Sequence, residues 1–468
     1  MKLTGSRRNT FIILSIIIAG CLIRLLLALL ARPEITPFDD LDYLRRGLYF
    51  SRGNTNDCWR APMQIWFTGI LMSLSGFRFL VVRLAQSMVV CLSLPLMYLL
   101  ARKLSSTRIS LISLIISTLW LEFLTYSIVI LSEGLSITLL TGAVLLTISA
   151  MELYQKECNT RSIIITFLAG SLWGLAALTR DEFFVISFIM IIPFWIFYRH
   201  WRKALPVFVI FIAGVMCCVA PYTARNIIKR HSMVIITNHG AYNLWQHWNS
   251  QIPSKQMNEE FFKQPEPIRQ RYALRKALEN LKDNPSFCLQ QGLKSFARMW
   301  APDNMMAVVF YYGFFGRTPP LLPVIGALLI SFMIVILVIG FVMNIMIHWR
   351  SGRHWVLYGI ILSSLIIHAI AYGQGRYRVP WMPLLIICGA QGIKELYDSI
   401  IVRRMKRVIV SCIAGVILLI FCCSFILKET IDLYTLHHKR GAEYQSINHL
   451  QREMSQHFYK MKKDQEVR

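Results

Sequence analysis

The chain has 468 residues, of which 55% are hydrophobic and only 16% charged, and its mean hydropathy is +0.49. Its length would suit about three soluble domains, but so apolar a composition argues against them. Lys and Arg number 50 against 25 Asp and Glu, a formal charge of +25, so an anionic partner is expected. No zinc-finger spacing, basic-region heptad or aromatic RNA-binding signature accompanies that charge. Lipid phosphate therefore fits the hydropathy where nucleic acid does not.

In chain order, the first apolar run spans residues 10–31, long enough to cross a bilayer. It follows Lys2, Arg7 and Arg8 and continues through Arg32 and Pro33 without a cleavage site, which predicts an uncleaved signal-anchor helix. Further apolar runs cover 79–101, 109–124, 132–150, 162–178, 183–198, 204–222, 320–347, 354–372, 379–393 and 408–427. The pattern predicts an all-α polytopic membrane protein with about eleven transmembrane helices. Two larger outer segments, 32–78 and 223–318, interrupt the spans. A transmembrane unit thus occupies 1–427, and a polar tail without recognisable chemistry occupies 428–468.

With a cytosolic N-terminus, the inner connections carry Arg102, Lys103 and Arg108, then Lys156 and Arg161, then Arg199, Arg202 and Lys203, then Arg350 and Arg353, and finally Arg403, Arg404, Lys406 and Arg407. That distribution obeys the positive-inside rule. The first outer segment runs against it, with Arg45, Arg46, Arg52 and Arg60. In the second outer segment, helical periodicity from Arg269 to Leu281 stops at Asp283-Asn284-Pro285. An amphipathic stretch from Phe287 to Trp300 follows. Most of the 11 cysteines lie in apolar runs, as small buried hydrophobes. Cys58 and Cys288 share the outer compartment, and spacing does not say whether they meet.

Four outer positions hold the residues that can carry chemistry. In PFDDLDYLRRG (37–47), Asp39, Asp40 and Asp42 cluster where a loop meets the bilayer. One can act as a general base, Asp40 and Asp42 can chelate a divalent ion, or all three can start the following helix. Glu133 sits at the outer end of a span, a position where ionisable groups are functional candidates. In LTRDEF (178–183), Arg180 can grip a phosphate while Asp181 and Glu182 cap the next helix. In YGQGRYRVP (372–380), Arg376 and Arg378 stand on the outer side, where the positive-inside rule gives no reason for them, so an anion site is favoured. Outer carboxylates facing outer arginines suit sugar transfer from a polyprenyl phosphate. The acceptor hydroxyl needs a base, and a phosphate leaving group needs cations in place of a general acid.

These motifs resemble those of integral-membrane GT-C glycosyltransferases, especially the aminoarabinose-transferase and protein O-mannosyltransferase branch. PFDDLDYLRRG resembles the FDExxY start of that group's first outer loop, and WRAPMQIWFTGIL its Pro-containing segment before the second span. YSIVILSEGLSITLL resembles its hairpin with a Glu, LAALTRDEFFV an ALTRPE-type hairpin, PYTARNIIKRHSMVIITNHGAYNLWQHWN a PWxxRN and GGYNLW stretch, and RYRVPWMP an RYRLPLLP pattern. KALENLKDNPSFCLQQGLKSFARMW resembles the helix, Asn-Pro break and amphipathic helix between them. The series keeps the family's order over most of the chain.

The resemblance implies a GT-C fold, with Asp39 as catalytic carboxylate, Asp40 beside it and Tyr43 shaping the site. It implies that Arg376 and Arg378 contact the lipid phosphate, and that Asn238, Gly240, Tyr242 and Asn243 line the substrate side. Asp40 stands where the family has Glu, and Asp181 where it has Pro. No cofactor is required, and a divalent metal on Asp40 and Asp42 stays open. The expected partners are a polyprenyl-phosphate sugar donor, a lipid, glycan or protein acceptor, and membrane lipids. The expected location is a bacterial inner membrane, with the active site on the outer face. Two other readings stand beside this one. A transporter or flippase predicts internal repeats and charges near the midplane, and a polysaccharide polymerase or ligase would keep the arginines but need not keep the FDD cluster.

Overall fold

The computed structural model describes residues 2–417 apart from 33–38, 54–57, 77, 304, 306–308, 311, 312, 317, 320, 403, 404, 406 and 414. Among the described residues, every regular element is helical. Helix α1 (Lys2–Leu30) leads into the first outer segment, which forms α2 (Asp39–Ser51) and α3 (Pro62–Leu74). Next come α4 (Phe79–Leu104), α5 (Thr107–Leu119), α6 (Leu121–Ile128), α7 (Ser132–Lys156), α8 (Thr160–Thr179), α9 (Glu182–Ile189), α10 (Ile191–Tyr198) and α11 (Trp201–Arg230). The second outer segment contributes α12 (Gly240–Trp248), α13 (Ser254–Lys263), α14 (Glu266–Asp283) and α15 (Pro285–Trp300). The chain then forms α16 (Leu321–His348), α17 (Gly352–Ile370), a 3-10 segment (Gly375–Trp381) and α18 (Met382–Ile401).

The protein is multi-pass, and the described residues do not show all of the eleven expected spans at full length. Among the described residues, seven helices are long and apolar enough to cross a membrane, or eight if α5 and α6, bent by 50°, count as one. The other expected spans differ for physical reasons. Residues 182–198, interrupted only at Met190, make one apolar helix that is shorter than the full spans. The span expected at 379–393 opens as a 3-10 segment, and α18 ends in a polar stretch with Lys394, Glu395 and Asp398. The span at 408–427 is described only to residue 417, and the tail at 428–468 lies outside the described residues.

Helix α7 is central, with 78% of its most apolar window buried, whereas α1 at 17% lies on the periphery. Helices α8 and α11 cross at glycines. A Cβ on Gly170 would stand 1.9 Å from the Phe211 carbonyl oxygen, and one on Gly214 would stand 2.1 Å from that of Phe167. Helices α16 and α18 repeat the device at Gly340 and Gly392, where a Cβ would come within 2.1 Å and 1.7 Å of facing backbone oxygens. Close backbone approach is a principal source of helix association in lipid, where apolar burial gives little net drive.

The second outer segment has a small core of its own, in which Tyr242, Trp245, Met257, Phe261, Ala273 and Ala277 pack together. Trp59 of the first outer segment inserts beside it, 5.7 Å from the Tyr242 ring and 5.8 Å from that of Phe261. The expected helix break falls at Asn284, whose side chain accepts from the Phe287 amide at 3.1 Å. Cys58 and Cys288 are both free thiols.

Substituting Gly170 by Leu should destabilise the protein by more than the ~1–3 kcal/mol typical of overpacking, because the facing atom is backbone. Gly359→Ala should be tolerated, since its Cβ would make ordinary contacts with the Met190 methyl at 3.5 Å and Pro193 Cγ at 3.9 Å. Denaturant unfolding in detergent tests the pair, and equal stability of the two variants would refute the glycine crossing.

Candidate active site

One end of the bundle collects the start of α7, the end of α8, the start of α9, the end of α17 and the start of the 3-10 segment. A cleft of about 280 Å³ opens there, close to the lower limit for small-molecule sites. The opposite-end connections, between α4 and α5, α7 and α8, α10 and α11, and α16 and α17, are those that carry the sequence's basic clusters.

Asp39 begins α2, whose first turn also contains Asp40 and Asp42, so these acids do favour the helix N-terminus. Asp39 alone of the three faces the cleft. Its Oδ1 accepts from Arg60 Nη2 at 2.5 Å and its Oδ2 from Arg376 Nη1 at 2.5 Å. Burial would raise the Asp39 pKa, but the charges of Arg376 and Arg60 outweigh it and hold the carboxyl at about 2. Arg60 also binds Asp42 through Nε at 3.1 Å, and Arg46 Nε reaches Asp42 at 2.8 Å.

Asp40 lies on the other side of α2, 2% exposed, with Oδ1 accepting from the Leu41 amide at 2.8 Å. A metal held by Asp40 and Asp42 fits poorly, since one is turned inward and the other is saturated by guanidiniums. Among the described residues no three His, Cys, Asp or Glu side chains are grouped to hold a metal ion.

The facing wall is a chain of alternating charge. Arg180 Nη1 donates to Glu133 at 2.9 Å and its Nε to Glu182 at 3.3 Å, and His368 Nε2 lies 2.7 Å from the other Glu182 oxygen. Tyr377 closes this wall, with Arg180 and Arg376 over its ring at 4.9 Å and 5.1 Å and His368 stacked on it at 4.6 Å. Arg180 and Glu133 line the cleft as well, with Arg180 paired to two carboxylates. The acids beside it start α9 as expected, Asp181 at the N-cap position and Glu182 in the first turn. Asp181 makes no side-chain cap bond and accepts from the Thr237 hydroxyl at 2.5 Å, while Glu182 belongs to the charged wall.

The third side comes from the second outer segment. Gly240 and Asn243 line the cleft as expected, together with Tyr43 of α2. His239, which sequence reasoning missed, sits 4.4 Å from the Trp59 ring. Burial, then the Arg60 charge, pushes its imidazole down to about 3, so the ring is neutral. Asn243 Nδ2 lies 3.1 Å from its Nδ1, which leaves Nε2 as the donor. Two expected residues point elsewhere. Tyr242 joins the outer core and donates to Asn258 at 2.6 Å, and Asn238 is 4% exposed, with its backbone N–H donating to the Cys58 carbonyl at 3.0 Å.

Arg378 also lies away from the cleft. It is fully buried, paired with Glu122, and donates to the carbonyls of Met299, at 2.6 Å, and Ala301. Glu122 is likewise fully buried and accepts from Trp120 Nε1 at 2.9 Å and from the Asp303 amide at 3.3 Å. Tyr126 donates to Asp303 at 2.5 Å. Burial, then the Glu122 charge, pushes the Asp303 carboxyl up to about 7. This cluster joins α6, the end of α15 and the 3-10 segment beneath the cleft. Arg378→Met should therefore cost about 3–5 kcal/mol of stability, the scale for stranding a buried charge. Arg376→Met, at the cleft edge, should cost much less. Thermal unfolding in detergent distinguishes them, and an inverted order would contradict the assignment.

The chain is similar to known proteins in part of its sequence and in its fold. Residues 59–224 match the profile of the dolichyl-phosphate-mannose-protein mannosyltransferase family. No curated protein sequence matches the chain. Among solved structures, the archaeal oligosaccharyltransferase AglB from Archaeoglobus fulgidus, in complex with an inhibitory peptide and a dolichol-phosphate, aligns at TM-score 0.54 and 14% identity, covering 91% of this chain and 56% of that one. The apo form of the A. fulgidus oligosaccharyltransferase aligns at 0.53 and 13% with the same coverage. Its complex with Zn and sulfate aligns at 0.52 and 14%, covering 87% and 52%. The chain spans about half the length of these structures, and at such identity the likeness is one of fold, the GT-C fold.

Proposed function

We propose that this chain, with its GT-C fold and its mannosyltransferase match over residues 59–224, transfers a sugar from a polyprenyl-phosphate-linked donor to an acceptor hydroxyl at the outer membrane face. The observation that carries the reading is the carboxylate of Asp39 held between Arg60 and Arg376 in the cleft. The basic connections at the opposite end support the outer orientation.

The proposed reaction is a single displacement with inversion. The acceptor oxygen attacks the anomeric carbon as its proton passes to Asp39, the bond from that carbon to the phosphate oxygen breaks, and its electron pair leaves on the lipid phosphate. Arg376 and Arg60 stabilise that anion, which matches guanidinium geometry. Asp39 at about 2 is too weak a base while both arginines bind it. A donor phosphate draws their charge away, so its pKa rises in the complex and its basicity with it. The neutral His239 and Asn243 are donors and acceptors suited to sugar hydroxyls.

Asp39→Asn should lower transfer by about 10²–10⁴-fold, the scale of a lost general base, while donor still binds. Asp40→Asn should act on stability more than on the chemical step. Near-normal activity of Asp39→Asn would sink the proposal. The pH profiles add a second test. A base must be deprotonated, so kcat/KM, which reports the free enzyme, should show no acidic limb from Asp39 above about pH 4. The profile of kcat, which reports the complex, should show its limb at higher pH. An identical limb in both would contradict the exchange of partners.

A further inference from the structure

Among the described residues, four carboxylates line the cleft, and three of them are engaged. Asp39 is held by Arg60 and Arg376, Glu133 by Arg180, and Glu182 by Arg180 and His368. Asp181, the fourth, is exposed and has no cation partner among the described residues. The Thr237 hydroxyl donates to its Oδ2 at 2.5 Å, which leaves Oδ1 uncommitted. In the ALTRPE-type pattern that this hairpin resembles a proline stands here, so the carboxylate is a property of this chain and not of the fold.

Two ordinary roles do not account for it. Although Asp181 stands at the N-cap of α9, its side chain makes no cap bond. Nor is it needed to hold the segment that it touches. Between α11 and α12 burial alternates, with Val234, Ile236 and Asn238 buried, Ile235 exposed, and Thr237 and His239 half-buried. Asn226 donates to the Val234 carbonyl and Thr223 to that of Ile235, both at 2.9 Å, while Gln270 donates to the Thr237 carbonyl at 2.7 Å and the Asn238 N–H to the Cys58 carbonyl at 3.0 Å. The segment is anchored without Asp181.

The groups beside the free oxygen decide its ligand. Thr237 and His239 lie two residues apart on one side of the alternating segment, roughly 7 Å along it, and both line the cleft. The neutral His239 presents Nε2 as a donor, so an acceptor and a donor share this side. The carboxylate would repel an anion, and an ammonium could not accept from the imidazole. Hydroxyls satisfy both, donating to Asp181 and accepting from His239. We propose that Asp181 is a specificity-determining residue that reads ring hydroxyls of a saccharide, with His239 as the matching donor. This rests on the transferase reading, and the hydroxyls belong either to the transferred sugar or to a saccharide acceptor.

The test follows the sugar mass added over time in membranes containing wild-type protein, Asp181→Ala or Thr237→Val, with the membranes' own polyprenyl-phosphate sugars as donor. Asp181→Ala should slow transfer by about 10–100-fold, the scale of a lost hydrogen bond to a charged group. Thr237→Val keeps the carboxylate and removes only its tie to the segment, so it should slow transfer by less than about fivefold. Mass spectrometry of the lipid retained by purified Asp39→Asn protein, with and without Asp181→Ala, separates the two sources. Loss of sugar-linked lipid with bare polyprenyl phosphate still retained places the hydroxyls on the donor, and equal retention of both places them on the acceptor. Transfer by Asp181→Ala as fast as by wild type, or slowed no more than by Thr237→Val, would overturn the proposal and leave the transferase reading standing. No added mass with wild-type protein would overturn both.

Discussion

Everything at the cleft depends on one carboxylate held between two guanidiniums. Asp39 comes from the start of α2, Arg60 from the approach to α3, and Arg376 lies 337 residues beyond Asp39 in the chain. Such an arrangement fastens the first outer segment to the far end of the sequence, and it keeps two cations at a cleft edge where an unpaired pair would repel. It also sets the chemistry, because the group that neutralises the arginines is the one proposed to take the proton. In the proposed reaction a phosphate entering the cleft competes with Asp39 for the same donors, so that binding the donor and activating the base become one event.

The cleft is fixed from below by a second and drier ion pair. Arg378 and Glu122 are both fully buried, and their hydrogen bonds reach carbonyls at the end of α15 and the indole of Trp120. The low-dielectric surroundings make the cluster costly to break. Since Arg376 is only two residues from Arg378, the buried pair sets the position of the pair at the cleft. The alternating wall of Glu133, Arg180, Glu182 and His368 plays a comparable part on the facing side. It keeps a polar surface ordered with little net charge, so that the excess positive potential stays around Asp39.

The sequence made most of the membrane spans, the ordered outer segments and the outer clusters that contain Asp39 and Arg376 legible, because hydropathy and out-of-place charge are local signals. It was less able to tell neighbours apart. Arg376 and Arg378 share a 3-10 segment, where two positions differ by most of a turn, and only one faces the cleft. Asp39 and Asp40 are adjacent on a helix and about 100° apart, while Asn238 and His239 fall on opposite faces of an alternating segment. In each pair one member lines the cleft and the other is buried, and the phase that decides between them is set by tertiary packing. Arg60 left a trace as one of four arginines at odds with the positive-inside rule, and its partners Asp39 and Asp42 explain how it is tolerated there. The pairing of Arg180 with Glu133 and Glu182 had no such trace, since those side chains meet only when α7, α8 and α9 bring their ends together.

The most direct test of the central claim is the affinity of the purified protein for a polyprenyl phosphate, compared across wild type, Arg376→Gln, Arg60→Gln and Asp39→Asn. If Asp39 and the donor phosphate share the same guanidiniums, either arginine variant binds more weakly, whereas Asp39→Asn, relieved of its internal competitor, binds at least as tightly as wild type. A loss of affinity in Asp39→Asn as large as that in Arg376→Gln would contradict the account.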